Sequence, residues 1–174
     1  MKLSVNAGHT ISGAGYGATG LIRESVWTRI IAYKVMAEMT RRGHTVYNAT
    51  VDTAKTTNQY LQKTVNLADA NKCDYFLSIH LNASKDHNGQ GCEAYTYKGT
   101  QHKKAVGICK ELSKLGFKNR GVKDGSKLFV VKNTRDRAIL VEVFFCDNGN
   151  DVKIASSLDY EKIGCAICDG LEKY

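Results

Sequence analysis

Apolar residues fall along this chain in two alternating rhythms. Short, nearly continuous apolar runs at residues 2–7, 45–48, 74–80 and 138–145 predict strands, the longest of them covered on both faces. Between them apolar positions recur at close to 3.6-residue spacing. Val26, Ile30, Ile31, Val35 and Met39 predict a helix over 24–42, ended by Gly43. Tyr60, Leu61, Val65 and Ala68 predict a second over 56–70, a third is expected over 101–115, and Ile163, Ala166 and Ile167 mark a last one over 160–172. Residues 91–97 alternate as a strand does, and 120–131 predict short strands around an Asp124-Gly125 turn. Strands alternating with helices, with no repeat or linker, predict a three-layer α/β domain with a mostly parallel mixed sheet flanked by helices. The 91–97 strand follows its predecessor with no helix between, so one pair is expected to be antiparallel.

At 174 residues, with 43% apolar and 24% charged, the chain has the make-up of one soluble globular domain. No apolar run is long enough to cross a bilayer. Met1-Lys2-Leu3-Ser4-Val5-Asn6 turns polar too soon for a secretory signal, so synthesis in the cytoplasm is expected. The net charge of +8 favours polyanionic partners without choosing among nucleic acid, anionic lipid and an acidic wall polymer. Six cysteines in a chain of this size, four of them in apolar segments, read as free core thiols. The Cys165-x-x-Cys168 pair lies in a helical pattern with no second pair, which argues against a metal or redox role.

Candidate chemistry begins with Glu142, in the middle of the 138–145 run. Period-2 alternation puts it on a face with Leu140 and Phe144, where an unpartnered carboxylate is costly. It needs a cation, a metal site or a proton to transfer; a structural Lys or Arg is the plain alternative. His9 and His80 each end an apolar strand, and Glu24 lies in the first turn of a helix. A loop with Gly8, Gly13, Gly15, Gly17 and Gly20 follows the first strand but lacks the endings of a phosphate cradle. Two imidazoles and one carboxylate with a position left open are the ligand set of a catalytic zinc. Taken singly, each has a simpler use: strand-end capping for the histidines and a dipole-favoured helix start for Glu24. His44, His87 and His102 end no buried strand and read as solvent-exposed.

Four stretches together resemble a known family: Val5-Asn6-Ala7-Gly8-His9, Glu24-Ser25, Ser78-Ile79-His80-Leu81-Asn82 and the run from Val141 to Asn148. They are similar, in order and over nearly the whole chain, to the zinc-dependent N-acetylmuramoyl-L-alanine amidases, the catalytic domains of phage endolysins and bacterial autolysins. The resemblance implies that His9, Glu24 and His80 hold one zinc per chain and that Glu142 is catalytic. It also implies a substrate, the amide joining muramic acid to L-alanine in peptidoglycan. Residues 1–174 are then expected to be a single catalytic domain without a wall-binding module. Peptidoglycan is the expected partner, with no nucleic acid and no membrane anchor, and the site of action is the wall after release from the cytoplasm. Asn82 and Asn133 are candidates for contact with substrate, with turn chemistry as the plain alternative. The sequence departs from the family's first motif at Asn6, Ala7, Thr10 and Ile11, and Phe144-Phe145 replaces a Gly-Phe. Two rivals remain: a zinc peptidase cutting within the stem peptide, and a basic, non-catalytic module binding wall polymer or nucleic acid.

Overall fold

The apolar runs line up side by side because each needs cover on both faces, and a parallel sheet between helix layers supplies it. The computed structural model describes residues 1–135 and 137–174. In chain order the elements are β1 (Lys2–Ala7), β2 (Ser12–Gly13), α1 (Glu24–Arg41), β3 (Thr45–Asn48), β4 (Thr53–Ala54), α2 (Thr57–Asp69) and β5 (Tyr75–Asn82). There follow β6 (Cys92–Thr96), α3 (Lys103–Ser113), β7 (Asn119–Asp124), α4 (Phe129–Asn133), β8 (Arg137–Phe145), α5 (Gly149–Ser157) and α6 (Tyr160–Glu172). The six-stranded sheet runs β3-β1-β5-β8-β6-β7, and β2 and β4 make a separate two-stranded ribbon. All pairs in the main sheet are parallel except β6 with β8. The expected three-layer architecture is therefore present.

One face of the sheet carries Leu3, Val5, Leu77, Ile79, Ile139 and Val141 against Ile31, Val35, Ile108 and Ile167 of α1, α3 and α6. The other carries Phe76, Ala138 and Leu140 against Val65, Val130 and Val131 of α2 and α4. Each fully covered Leu, Ile or Phe contributes about 1.5–3 kcal/mol relative to leaving it in water. Trp27 joins the larger core at its edge, packed edge-on against Phe144 and Tyr160 at 5.7 and 5.1 Å between ring centres.

Several expectations need correction. One pair is antiparallel, as expected, but β6 makes it with β8 and not with its predecessor β5. Residues 120–131 are one strand and a turn followed by helix α4, not a set of strands, since burying adjacent Val130 and Val131 suits a short helix leaning on β8. Ile31, Val35 and Met39 of α1 are buried as expected, but Val26 is exposed, Ile30 is half-buried, and Thr28 and Ala32 are buried beside them. Phe144 does not share a face with Glu142. The β5–β8 register passes from His80↔Glu142 to Asn82↔Phe145, so β8 carries one extra residue, and this bulge turns Phe144 into the larger core. His44 is not a solvent-exposed residue: Nδ1 meets the N-terminal amine and Nε2 meets Glu172. His102 is half-buried at the start of α3, and only His87 is exposed as expected. Cys92, Cys109, Cys146 and Cys168 are buried free thiols. No helix among the described residues is long and apolar enough to cross a membrane.

Candidate metal centre

Parallel pairing of β1 with β5 carries the two histidines to the same edge of the sheet. Ala7 lies opposite Ile79, and the Gly8 N–H donates to the Ile79 carbonyl at 2.8 Å. The next residue, His9, turns with φ at +68°, a left-handed backbone that a residue with a Cβ takes up at a cost. Its surroundings hold it there. The His9 N–H donates to the Tyr60 hydroxyl at 2.6 Å, and Arg29 Nη2 donates to the His9 carbonyl at 3.1 Å. The ring stacks on Tyr60 and lies 2.9 Å through Nδ1 from the Gly15 carbonyl oxygen. A carbonyl only accepts, so Nδ1 carries the proton and Nε2 is left as the donor atom of the ring.

Glu24 enters from the first turn of α1, buried. Its Oε2 accepts the Ala18 N–H at 2.8 Å and its Oε1 the Leu81 N–H at 3.1 Å. Oε1 also lies 3.2 Å from His9 Nε2 and 3.2 Å from His80 Nδ1. The three ligand atoms all fall within 4.8 Å of one another. Donor atoms about 2.1 Å from a tetrahedral zinc stand roughly 3.4 Å apart, a spacing that the two His–Glu separations of 3.2 Å already approach.

Two glycines make room for it. A Cβ on Gly8 would come within 2.5 Å of the His80 ring. One on Gly17, whose φ is +79°, would come within 2.6 Å of the His9 ring and 2.7 Å of Glu24 Oε2. The electrostatics show what the cluster lacks. Burial works against ionising Glu24, but the imidazoles of His80 and His9 outweigh it and hold the carboxyl far below its usual range. Burial also opposes charging His9, yet the bond to Glu24 and its charge leave that imidazole above its ordinary value. For His80 burial prevails over Glu24 and the value falls. One carboxylate and two imidazoles facing a common point call for a positive charge, which a proton or a metal cation supplies.

Glu142 stands beside this cluster. On the α2 face of the sheet, His80, Glu142 and Glu93 form a row across β5, β8 and β6, set by the pairs His80↔Glu142 and Glu93↔Glu142. The Glu142 Oε2 atom is buried without a hydrogen-bond partner. Burial first, then the charges of Glu24 and Glu93, push its carboxyl well above the ordinary range. No Lys or Arg pairs with it among the described residues, which removes the plain structural ion pair. The nearby arginine, Arg120, is bonded to Glu93 instead.

Of the residues named from sequence, His9, Glu24, His80 and Glu142 come together. Asn82 lies beside them but spends its side-chain amide on Glu93 Oε1 at 2.7 Å. Asn133 does not join them: it ends α4 ahead of β8, at the opposite end of that strand from Glu142, and caps the Phe129 carbonyl. Asn6 braces the floor, donating to the Ala49 carbonyl and accepting from the Ser78 hydroxyl. Glu93, Arg120 and Tyr60 were missed. A signal existed for Glu93, an acid between Cys92 and Ala94 in an apolar strand.

The sheet order, the two-histidine, one-glutamate donor set and the adjoining buried glutamate together define an α/β protein with a metal-type centre at the C-terminal edge of its parallel strands. The chain belongs to the N-acetylmuramoyl-L-alanine amidase family Amidase_3, whose model matches residues 3–173. It is 33% identical over 178 residues to the uncharacterized protein CPE1502 of Clostridium perfringens (strain 13 / Type A), covering 99% of this chain and 52% of that one. It is 30% identical to the N-acetylmuramoyl-L-alanine amidase LytC of Bacillus subtilis (strain 168), over 98% of this chain and 34% of LytC. The chain thus spans about half the length, or less, of these relatives. Among solved structures, the catalytic domain of the CD27L endolysin targeting Clostridia Difficile superposes with a TM-score of 0.91 at 30% identity, covering 99% of this chain and 97% of that one.

Proposed function

We propose that this chain is a zinc-dependent N-acetylmuramoyl-L-alanine amidase that hydrolyses the amide between the muramic acid lactyl group and L-alanine in peptidoglycan. His9, Glu24 and His80 are the ligands and Glu142 is the proton-transfer residue, within one catalytic domain over residues 1–174. Cell-wall peptidoglycan is the partner, met after release from the cell. The observation that carries the reading is the buried, unpartnered Oε2 of Glu142 beside a donor set of zinc type. Family membership and the similarity to LytC and the CD27L catalytic domain support the choice of bond.

Zinc, when bound, supplies Lewis acidity, polarising the scissile carbonyl and making water a stronger acid. The chain's own residues do the rest. Gly15 and Tyr60 fix the His9 ring with Nε2 inward, and the Ala18 and Leu81 N–H groups fix Glu24. Glu142 takes a proton from the attacking water and delivers it to the departing nitrogen, which leaves as the free α-amino group of L-alanine; the water oxygen stays on the lactyl carboxylate. A carboxyl raised by its surroundings is suited to gaining and losing that proton. The test separates metal from chemistry. His9→Ala with His80→Ala should abolish zinc uptake, while Glu142→Gln should retain about one zinc per chain and lose about 10²-fold or more of its turnover. Full zinc content in the double variant, or near-normal turnover of Glu142→Gln, would overturn the assignment.

A further inference from the structure

Beyond Glu142 the polar row continues to a residue outside the machinery described so far. Glu93, buried, accepts from Asn82 Nδ2 at 2.7 Å and from the Tyr95 hydroxyl at 2.9 Å through Oε1. Its Oε2 takes the Arg120 Nε–H at 2.7 Å. The arginine is placed there by a break in the ladder. Between Cys92↔Asn119 and Ala94↔Val122, Arg120 and Gly121 of β7 stand opposite the single residue Glu93 of β6. Gly121 supplies the left-handed φ of +75° that this bulge requires, and the Asn119 side chain accepts its N–H. Bulges of this kind re-aim a side chain beside a site, and parallel pairs rarely contain them. The guanidinium carbon lies 5.1 Å over the Phe145 ring. One edge of the fork is therefore bonded and one face is covered. Both Nη groups remain without a partner among the described residues, and the side chain is 34% exposed.

We propose that Arg120, held by Glu93 and Phe145, is an anion-receiving group that binds a carboxylate of the stem peptide while the scissile amide lies at the metal centre. This rests on the amidase reading above. An immobilised guanidinium with two free donors matches a carboxylate, and holding it in advance removes the ordering cost of binding. The chemistry of the substrate says which side it reads. The muramic carboxyl is consumed in the scissile amide, so the free carboxylates are on the peptide. β8 and β7 are two strand spacings apart, about 10 Å, which two to three residues of extended peptide span. The carboxylate is accordingly one within the first few residues beyond the cut.

The experiment compares a muramoyl tripeptide bearing free stem carboxylates with the same molecule bearing carboxamides. Affinity is measured calorimetrically on zinc-loaded Glu142→Gln protein, so that binding is read apart from turnover, and release of the tripeptide with a free N-terminal alanine is followed with the unsubstituted protein. The acid should bind about 10-fold or more tightly than the amide, as expected of hydrogen bonds between charged groups. Arg120→Gln should erase that preference, and Arg120→Lys should restore only part of it, keeping the charge but not the fork. If Arg120→Gln fails to fold because it strands Glu93, the double substitution Glu93→Gln with Arg120→Gln removes both charges and carries the same expectation. A role confined to neutralising Glu93 gives no acid preference in the first place. Equal affinities for acid and amide, with the tripeptide released normally, overturn the proposal and leave the amidase reading intact. An acid preference that depends on Arg120 with no tripeptide released supports the anion site and removes the amidase reading.

Discussion

Replacing Glu142 with glutamine should stabilise the metal-free protein, by an amount that grows with pH. In the unfolded chain this carboxyl ionises near its ordinary value of 4.5, whereas in the fold burial and the charges of Glu24 and Glu93 hold it well above that. Between those two points the folded state binds the proton that the unfolded state has released. Stability linked to Glu142 is therefore complete below the unfolded value and is lost as pH rises through the folded one. The loss runs at about 1.4 kcal/mol per pH unit, or roughly 3–6 °C in Tm for a domain of this size. Glutamine does not titrate, so its own packing and hydrogen bonding add only a constant offset. Thermal unfolding of both proteins in chelator, from pH 4 to pH 7, reads the difference directly. It should widen from about pH 4.5 upward, and added zinc should narrow it because a nearby cation favours the ionised carboxylate. A gap that stays constant or shrinks with rising pH would show that Glu142 is not held protonated by its surroundings.

Gly17→Ala puts a Cβ against His9 and Glu24 at a φ of +79°, and strain plus overpacking should cost about 2–5 kcal/mol in denaturant unfolding while weakening zinc uptake. Asp151→Ala leaves the buried Gly91 and Phe145 N–H groups without the Oδ2 that accepts both at 2.7 and 2.9 Å, a loss of about 1–3 kcal/mol for each, read as a lowered Tm. Zinc at 100 times its Kd should raise stability by about 2.7 kcal/mol, and the same addition should do nothing for the His9→Ala, His80→Ala protein.

The parts of this molecule that were legible in its sequence are those where one local pattern decides the outcome. The helix over residues 160–172 and the strands at 2–7 and 138–145 are of this kind, since continuous burial leaves a plain apolar signature. His9, His80, Glu24 and Glu142 were legible as positions because each stands at a strand end, in a helix first turn or inside a buried run. What could not be read depends on partners distant in the chain. Phe129-Val130-Val131 has the composition of a strand, and only the groove between α2 and β8 makes it helical. Helix α5 opens on glycine and is capped by Asn148, with too short an apolar stripe to stand out. The left-handed turn at His9 depends on Tyr60 and Arg29, and the bond between Arg120 and Glu93 depends on a bulge between two strands. Registers and bulges are set when strands meet, and no single stretch encodes them.

The most direct measurement is product analysis of purified peptidoglycan digested with the zinc-loaded protein. New amino groups should be N-terminal alanine, without new reducing sugar ends; a chelator should abolish them and zinc should restore them. Reducing ends would point to a glycosidase, which cuts with a pair of carboxylates flanking the bond, and new amino termini on any residue other than alanine would contradict cleavage at the muramoyl–alanine amide.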